Sequence, residues 1–129
     1  MMFAPEGGFF ESVAGLVGMT HGMQIGVARS PTGDLEDDTR AVLQRLGQTN
    51  PQLQWTPMYQ RIRLDGRNGL TVPATSVSVA TGRFKYMSVT TTHLRDGTLL
   101  FIIGVAPRLE TGTYRRAFDR IQRSIRFVD

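Results

Sequence analysis

Apolar and polar positions alternate along much of this chain, and the length of the repeat predicts which elements it forms. Met23, Ile25 and Val27 alternate with small or polar residues, which predicts a strand from Gly22 to Arg29. The same period of two runs from Gln54 to Ala106 and predicts several more strands. A helical period separates these two stretches, and a second one ends the chain.

The first helical segment has a start, an apolar stripe and a stop. Asp34 is a good N-cap residue, and the acids that follow it suit a first turn whose amide groups are unpaired. Gly47, shortly before Asn50-Pro51, is expected to end the helix. The stripe consists of Leu35, Thr39, Val42, Leu43 and Leu46, and the acids are Glu36, Asp37 and Asp38. Helix-start electrostatics account for these acids, because the calcium-loop spacing and its distal glutamate are absent.

Turn residues divide the second alternating stretch into strands. Asp65-Gly66 is a hairpin turn of the kind that needs positive φ angles, and Asp96-Gly97 is a second hairpin turn. Pro73 lacks an amide proton, so the strand that contains it, Leu70 to Val79, is expected at a sheet edge or a bulge. The uninterrupted apolar run from Leu99 to Ala106 is typical of a central strand covered on both faces.

The last helix is expected to start at Thr113 and to be amphipathic. Its apolar stripe consists of Tyr114, Ala117, Phe118, Ile121 and Ile125, whereas Asp119, Gln122 and the arginines cover the other side. The resulting order is strand, helix, several antiparallel strands and helix. It predicts an α+β fold in which an antiparallel β-sheet is flanked by two main helices in a layered sandwich.

Composition sets the size of the domain and excludes several classes of protein. The 129 residues suit a single domain, 1–129, whose core is large enough to need no disulfide or metal. The chain has no cysteine, which excludes a disulfide scaffold, a thiol nucleophile and zinc sites built on thiolates. Residues 1–28 show no signal-peptide pattern, and the mildly apolar stretch Val13 to Ala28 is too short and too polar for a membrane span.

The charge is modestly positive and is concentrated toward the end of the chain. Its 15 basic and 11 acidic residues give a net charge of +4. The last helix carries a basic cluster at Arg115, Arg116, Arg120, Arg123 and Arg126. This face has two interpretations: a solvated helix surface, or a contact for nucleic acid or another anionic ligand.

The polar residues form no recognisable catalytic or metal-binding pattern. His21 and His93 have no third ligand near them in sequence, so a structural or surface role is expected for each. The residues Ser76, Ser78, Ser88 and Thr90 to Thr92 lie on predicted strands and are expected at exposed positions. Nucleophile elbows, phosphate loops and zinc-peptidase motifs are missing. The sequence thus predicts no catalytic residue, no metal and no cofactor.

Three residues are candidates for binding a ligand. Trp55 lies in a segment bracketed by Pro51 and Pro57, with Tyr59 close behind, and aromatic residues beside arginines are typical of protein contact sites. His21 lies in the glycine-rich stretch before the second strand. The alternative for Trp55 is a tryptophan that caps the core where a loop meets the sheet.

The assembled pattern resembles the C-terminal accessory region of some exported bacterial zinc metallopeptidases of the HtpX-like class, which has a PsbP-like fold. The similar segments are Ala4–Phe10, Thr20–Gly26, Leu46 with Asn50–Leu53, Gly66–Leu70, Asp96–Pro107, and the closing Tyr114, Phe118, Ile121 and Ser124–Arg126. They cover nearly the whole chain, and most are turn and core positions. The zinc motif of the peptidase is missing, so the resemblance implies no catalytic residue here.

The resemblance implies an accessory domain excised from a longer protein, with an extracytoplasmic location. The expected function is non-catalytic binding of protein, either a substrate or an assembly partner, for a linked zinc metallopeptidase. The alternative is a module that binds nucleic acid or an anionic ligand through the arginine face of the last helix. A third possibility, an enzyme whose site is spread through the fold, requires a deep pocket and a carboxylate near His21 or His93.

Overall fold

The computed structural model describes residues 2–3, 9–11, 17–19, 22–30, 32–50, 52–55, 58–77, 82–107 and 111–127, with the backbone alone for 2–3, 9–11, 17–19, 22, 107 and 111–115. The strands are β1 (Met2–Phe3), β2 (Phe9–Glu11), β3 (Val17–Met19), β4 (Gly22–Ala28), β5 (Gln54–Trp55), β6 (Gln60–Leu64), β7 (Arg67–Val77), β8 (Phe84–His93) and β9 (Leu99–Pro107). The helices are α1 (Leu35–Leu46) and α2 (Thr111–Ser124).

Most of the strands form one antiparallel sheet. Its order is β1-β4-β9-β8-β7, and β5 and β6 both pair with the outer edge of β7. Strands β2 and β3 pair separately as a two-stranded sheet. The apolar strand β9 lies between β4 and β8, as its uninterrupted run predicts. The α+β class, an antiparallel sheet with two helices, is therefore confirmed.

Local sequence signals correctly place both ends of α1 and the turn between β6 and β7. Asp34 caps α1 by accepting a hydrogen bond of 3.0 Å from the amide of Asp37, and Gly47 is the C-cap. Asp65 and Gly66 have φ angles of 48° and 78°, so a two-residue turn with positive φ at both positions joins β6 to β7. These features depend on residues close in sequence, which is why the pattern predicts them.

Side chains alternate between the two faces of the sheet, and each face carries one helix. On one face, fully buried Leu43 of α1 packs with Val72 and Val89. On the opposite face, Phe118 of α2 packs with Ile102. We call these faces the α1 side and the α2 side; the two helices and the sheet between them form three layers.

A glycine determines where α2 lies on its side of the sheet. A Cβ atom added to Gly104 of β9 would approach the Phe118 ring to 2.5 Å, well inside van der Waals contact. The missing side chain therefore lets the ring lie directly on β9. Because α2 contacts β9, Pro73 of β7 and Tyr86 of β8 stay exposed on the same side.

The residues after α2 attach to the turn between β6 and β7. The amide of Phe127 donates a hydrogen bond of 2.9 Å to Oδ2 of Asp65. The Arg67 guanidinium lies 4.1 Å from the centroid of the Phe127 ring, and Arg126 lies 3.8 Å from the other Asp65 oxygen. The helix layer on the α2 side thus extends from β9 to the β6–β7 turn.

The prediction that strand hydroxyl residues are exposed is wrong for most of them. Ser76, Thr90, Thr91 and Thr92 are fully buried. The threonines of β8 are buried because α1 contacts this part of the strand at Thr91 and α2 contacts it at Thr90, whereas the start of β8, at Phe84 and Tyr86, stays exposed. Ser78 lies outside the described residues. The hydroxyl groups remain satisfied; for example, those of Thr91 and Thr39 on α1 lie 2.7 Å apart.

The predicted apolar stripe of α2 is correct only in part. Phe118 and Ile125 pack against the sheet, whereas Ala117 and Ile121 are exposed. Gln122, predicted on the solvent side, instead points to the sheet and hydrogen bonds there. The sheet under this part of α2 carries hydroxyl groups, so an amide packs on it better than a hydrocarbon does.

The start of α2 also differs from the prediction. The helix begins at Thr111, so Thr113 lies within its first turn and is not its cap. The side chain of Tyr114 falls outside the described residues. Neither of the two described helices has the length and apolar character needed to cross a membrane.

Candidate functional site

An open trough of about 1180 Å³ lies mainly on the α2 side of the sheet. Its floor consists of Thr71, Pro73 and Thr75 of β7 with Tyr86 and Ser88 of β8. One wall is formed by Phe118, Asp119 and Gln122 of α2, and the other by Gln54, Gln60 and Ile62 of the edge strands. The remaining lining residues are Leu53, Trp55, Ala74, Met87 and Ala106.

Hydroxyl groups form a network in and beside the floor of the trough. Oγ1 of Thr71 lies 3.3 Å from Oγ of Ser88 and 3.1 Å from Oγ1 of Thr90. Nε2 of Gln122 donates a hydrogen bond of 2.8 Å to Oγ1 of Thr90. This last bond fixes the α2 wall to the floor, so the shape of the trough does not depend on apolar packing alone.

The lining of the trough is almost free of charge. Asp119 is the only charged side chain among the described residues that line it, although the chain has 15 basic residues. Arg116, Arg120 and Arg123 of α2 are exposed and do not line the trough. Hydroxyl and amide groups both donate and accept, so the trough suits a neutral polar ligand. The described lining residues include no basic side chain that could pair with an anionic polymer.

The structure places the three predicted binding residues differently. Trp55 is half-buried, pairs with Ala74, packs against the α1-side core and lines the trough. Tyr59 packs against the same core, and its buried hydroxyl has no hydrogen-bond partner within the described part of the chain. His21 lies outside the described residues. Trp55 therefore packs on the core, as the alternative interpretation expects, and also faces the trough, while its role in binding stays a prediction.

A second polar cluster lies on the α1 side, where α1 begins and β8 ends. The carboxylate of Asp38 is fully buried at its centre. It accepts hydrogen bonds from Oγ of Ser30, from Oγ1 and the amide of Thr32 at 2.8 and 3.0 Å, and from Nε2 of His93 at 2.7 Å. An ionised carboxylate can only accept, so Nε2 of His93 carries a proton.

These hydrogen bonds stabilise the ionised form of Asp38. Burial alone would raise the pKa of this carboxyl group, but the hydrogen bonds from Ser30, His93 and Thr32 outweigh burial and lower the pKa from 3.8 to about 2. Asp38 is therefore a weak proton acceptor near neutral pH. It can orient the imidazole of His93 and hold the loop that contains Ser30, but it is poorly suited to act as a general base.

The residues Ser30, Asp38 and His93 do not have the arrangement of a catalytic triad. In a triad the imidazole lies between the hydroxyl and the carboxylate and accepts the hydroxyl proton. Here both Ser30 and His93 hydrogen bond to Asp38, so the carboxylate is in the middle. His93 thus has the nearby carboxylate that a spread-out enzyme site requires, but it does not line the trough.

We expect Asp38 to make the fold less stable in acid. Its pKa is lower in the folded chain than in the unfolded one, so its contribution is complete above about pH 4 and is lost as the pH falls toward about 2. A lowering from 3.8 to about 2 corresponds to about 2 kcal/mol. Urea unfolding should show the stability difference between wild type and Asp38→Asn narrowing by this amount between about pH 5 and pH 2. An unchanged difference would contradict the assignment.

Lys85 is a second buried charged residue on the α1 side. Nζ of Lys85 donates a hydrogen bond of 2.8 Å to Oδ1 of Asn50, and burial lowers the pKa of this ammonium group. Neither residue lines the trough. Within the described ranges, no three histidine, aspartate or glutamate side chains are grouped so that they could hold a metal ion.

Sequence reasoning missed the inward position of Asp38. Helix-start electrostatics explain Asp34, Glu36 and Asp37, which are exposed, but not Asp38, which is buried. The spacing of Asp38 in the helix could have revealed this inward position. Asp38 lies three positions after Leu35 and one before Thr39, so it falls on the buried stripe of α1. A carboxylate on such a stripe needs partners, and Ser30, Thr32 and His93 supply them.

The fold has a counterpart among solved structures. The chain is similar to the crystal structure of PA94 from Pseudomonas aeruginosa, a protein of unknown function described as a candidate regulator. The TM-score is 0.61 at 9% sequence identity, and the match covers 94% of this chain and 96% of PA94. At this identity the likeness concerns the fold alone. No protein-family model matches the chain, and no curated protein matches it significantly.

Proposed function

We propose that the chain is a non-catalytic accessory domain that binds a protein, either a substrate or an assembly partner, through the trough. The size and neutral hydrogen-bonding lining of the trough support a role in binding. The resemblance to the accessory region of HtpX-like zinc metallopeptidases supports the link to a peptidase, a PsbP-like layout and an extracytoplasmic setting.

The separation of the trough from the acid–base pair carries the non-catalytic part of this proposal. Asp38 and His93 lie on the α1 side, and Asp38 is saturated by its own neighbours. In the trough, Asp119 is the single charged group among the described lining residues. Acid–base chemistry generally needs a second group of matched pKa beside the first. A binding role for the trough and a structural role for the Asp38 cluster therefore support this part of the proposal.

Photo-crosslinking in cells that produce the full protein tests the proposal. A photo-reactive phenylalanine analogue in place of Gln60, which lines the trough, should form adducts with polypeptide. The same analogue in place of Arg61, which is exposed on the other side of β6, should not. Adding Trp55→Ala should lower the adduct yield about 10-fold, because large aromatic residues dominate many protein contacts.

Three results would count against the proposal. Equal adduct yields at positions 60 and 61 would show that the partner does not bind specifically in the trough. Adducts with nucleic acid would show that the partner is not a protein. Hydrolysis of unfolded protein by the purified chain would show that it is catalytic. The link to a peptidase is tested separately: the gene should encode a His-Glu-x-x-His motif upstream, and its absence there would contradict that part.

The exposed arginines of α2 favour a second candidate function. Arg116, Arg120 and Arg123 lie on the solvent side of the helix and could contact the phosphates of a nucleic acid. Such contacts weaken steeply with salt, so binding of a short DNA duplex should fall at least 10-fold between about 50 and 200 mM salt. Lack of binding at the lower salt concentration would remove this candidate.

A further inference from the structure

We propose that the trough binds one extended segment of a partner polypeptide and that it selects segments without charged side chains. This inference rests on the proposed function and defines what the trough recognises.

The size of the trough indicates a chain segment and not a small molecule. Its volume of about 1180 Å³ is above the range of roughly 300–1,000 Å³ that holds most small ligands. It is also open, because α2 covers β9 and leaves the outer strands of the sheet free on that side. A polymer that runs through an open trough needs no enclosed cavity.

The amides of the trough are placed to satisfy an extended backbone. A strand projects its N–H and C=O groups sideways in both directions, and each of them needs a partner when it leaves water. Gln54 and Gln60 lie on one wall, and Gln122 lies on the other. Each glutamine amide has a carbonyl that accepts and an NH₂ group that donates. On the edge-strand wall, Gln54 and Gln60 can both donate to and accept from one edge of an extended segment. On the α2 wall, Nε2 of Gln122 already donates to Thr90, so this residue is placed to accept from the other edge through its carbonyl group.

The apolar residues of the trough favour a polypeptide over an oligosaccharide. Ile62, Pro73 and Ala106 are aliphatic surfaces beside the hydroxyl groups of the floor. The side chains of an extended segment alternate, so those that point to the floor can bury apolar groups against these surfaces. A sugar carries hydroxyl groups around its ring, and these would lose hydrogen bonds to water against aliphatic carbon.

The charge of the trough sets its selectivity. Asp119 is exposed on α2, with exposed Arg116, Arg120 and Arg123 nearby in sequence, so its charge is partly offset by its own helix. A charged side chain deeper in the trough would lose water and gain no counter-ion from the described lining. Segments without Asp, Glu, Lys or Arg at their centre should therefore bind best.

A peptide selection followed by titration tests this inference on the full chain. Random tryptophan-free octapeptides displayed on phage would be selected for binding, and synthetic peptides would then be titrated while the emission of Trp55 is recorded. Trp55 is the only tryptophan of the chain and lines the trough, so occupation of the trough should change its emission. Selected sequences should lack charge at their centre, and their affinity should change less than about 2-fold between 50 and 500 mM salt.

Matched variants identify the contacts. Gln60→Ala should weaken binding about 3- to 10-fold, the effect of one hydrogen bond, whereas Arg61→Ala on the opposite side of the same strand should leave it unchanged. Methylating backbone nitrogens at the centre of a selected peptide should weaken binding at least 10-fold. Methylation removes the N–H groups that would donate hydrogen bonds to the carbonyl groups of the glutamines. Replacing a central residue by Glu or Lys should weaken binding to the same extent.

The outcomes separate this inference from the proposed function. Peptides that are enriched but carry central charges, or that bind Gln60→Ala and wild type equally, would overturn the inference while protein binding stands. Failure to enrich any peptide would also overturn the inference. If the chain then bound a neutral oligosaccharide such as cellopentaose, the ligand of the trough would be a sugar polymer and not a polypeptide. The crosslinking at position 60 would then decide the proposed function by itself.

Discussion

Asp38→Ala should lower the free energy of unfolding by about 3–5 kcal/mol, the range seen when one partner of a buried ionic cluster is removed. The substitution removes the acceptor of Ser30, Thr32 and His93 at once. It leaves their donors partly buried without partners, which costs more than the lost bonds themselves. Because Ser30 and Thr32 precede α1 while His93 ends β8, the loss should separate the helix start from the sheet.

Chemical denaturation of the purified chain at pH 7 measures this effect. Asp37→Ala is the matched control, because Asp37 is the preceding acid, is exposed, and pairs only with Arg40 at 3.3 Å on the surface. We expect the control to change stability by less than about 1 kcal/mol, as surface ion pairs do. If Asp38→Ala costs no more than Asp37→Ala, the cluster does not hold the helix to the sheet.

Gly104→Val should be the other strongly destabilising change, with a loss of about 3 kcal/mol. The added Cβ alone would lie 2.5 Å from the Phe118 ring, so either the ring or α2 must move. Movement of α2 would shift Gln122 away from Thr90 and disturb the wall of the trough. The variant should therefore lose peptide binding as well as stability.

A double-mutant cycle separates the steric cause from a general effect on β9. Phe118→Leu leaves a smaller side chain opposite Gly104, so the cost of Gly104→Ala should be lower in that background than in the wild type. Thermal or urea unfolding of the four proteins gives the coupling free energy, which we expect to be about 1 kcal/mol or more. Costs that add independently would mean that Gly104 and Phe118 do not limit the approach of α2.

The parts of the fold that depend on neighbouring residues were predictable from sequence. The N-cap Asp34, the stop at Gly47 and the turn at Asp65-Gly66 all follow from a few adjacent residues. Predictions that depend on a distant element were wrong. Thr90 is buried and Gln122 points inward because α2, which follows all the strands in sequence, packs back onto the sheet and contacts β8.

The candidate site was harder to predict than the fold. Trp55 was identified because it is a lone tryptophan between prolines. The amides of Gln54, Gln60 and Gln122 carry no local signal, since glutamine is common on any surface and these three come from separate elements. Pairing of β5 and β6 with the same strand, β7, and the placement of α2 by Gly104 bring them together. No short sequence motif predicts this strand pairing or this helix placement.

The attachment of Phe127 to the turn at Asp65 links the elements that form the two walls of the trough. Gln122 of α2 lies on one wall and Gln60 of β6 lies on the other, whereas Phe127 follows α2 and Asp65 follows β6. The spacing between the walls should therefore depend on a hydrogen bond outside the trough. Loss of this bond would let the end of α2 move relative to β6, so the residues after the helix help to set the width of the trough.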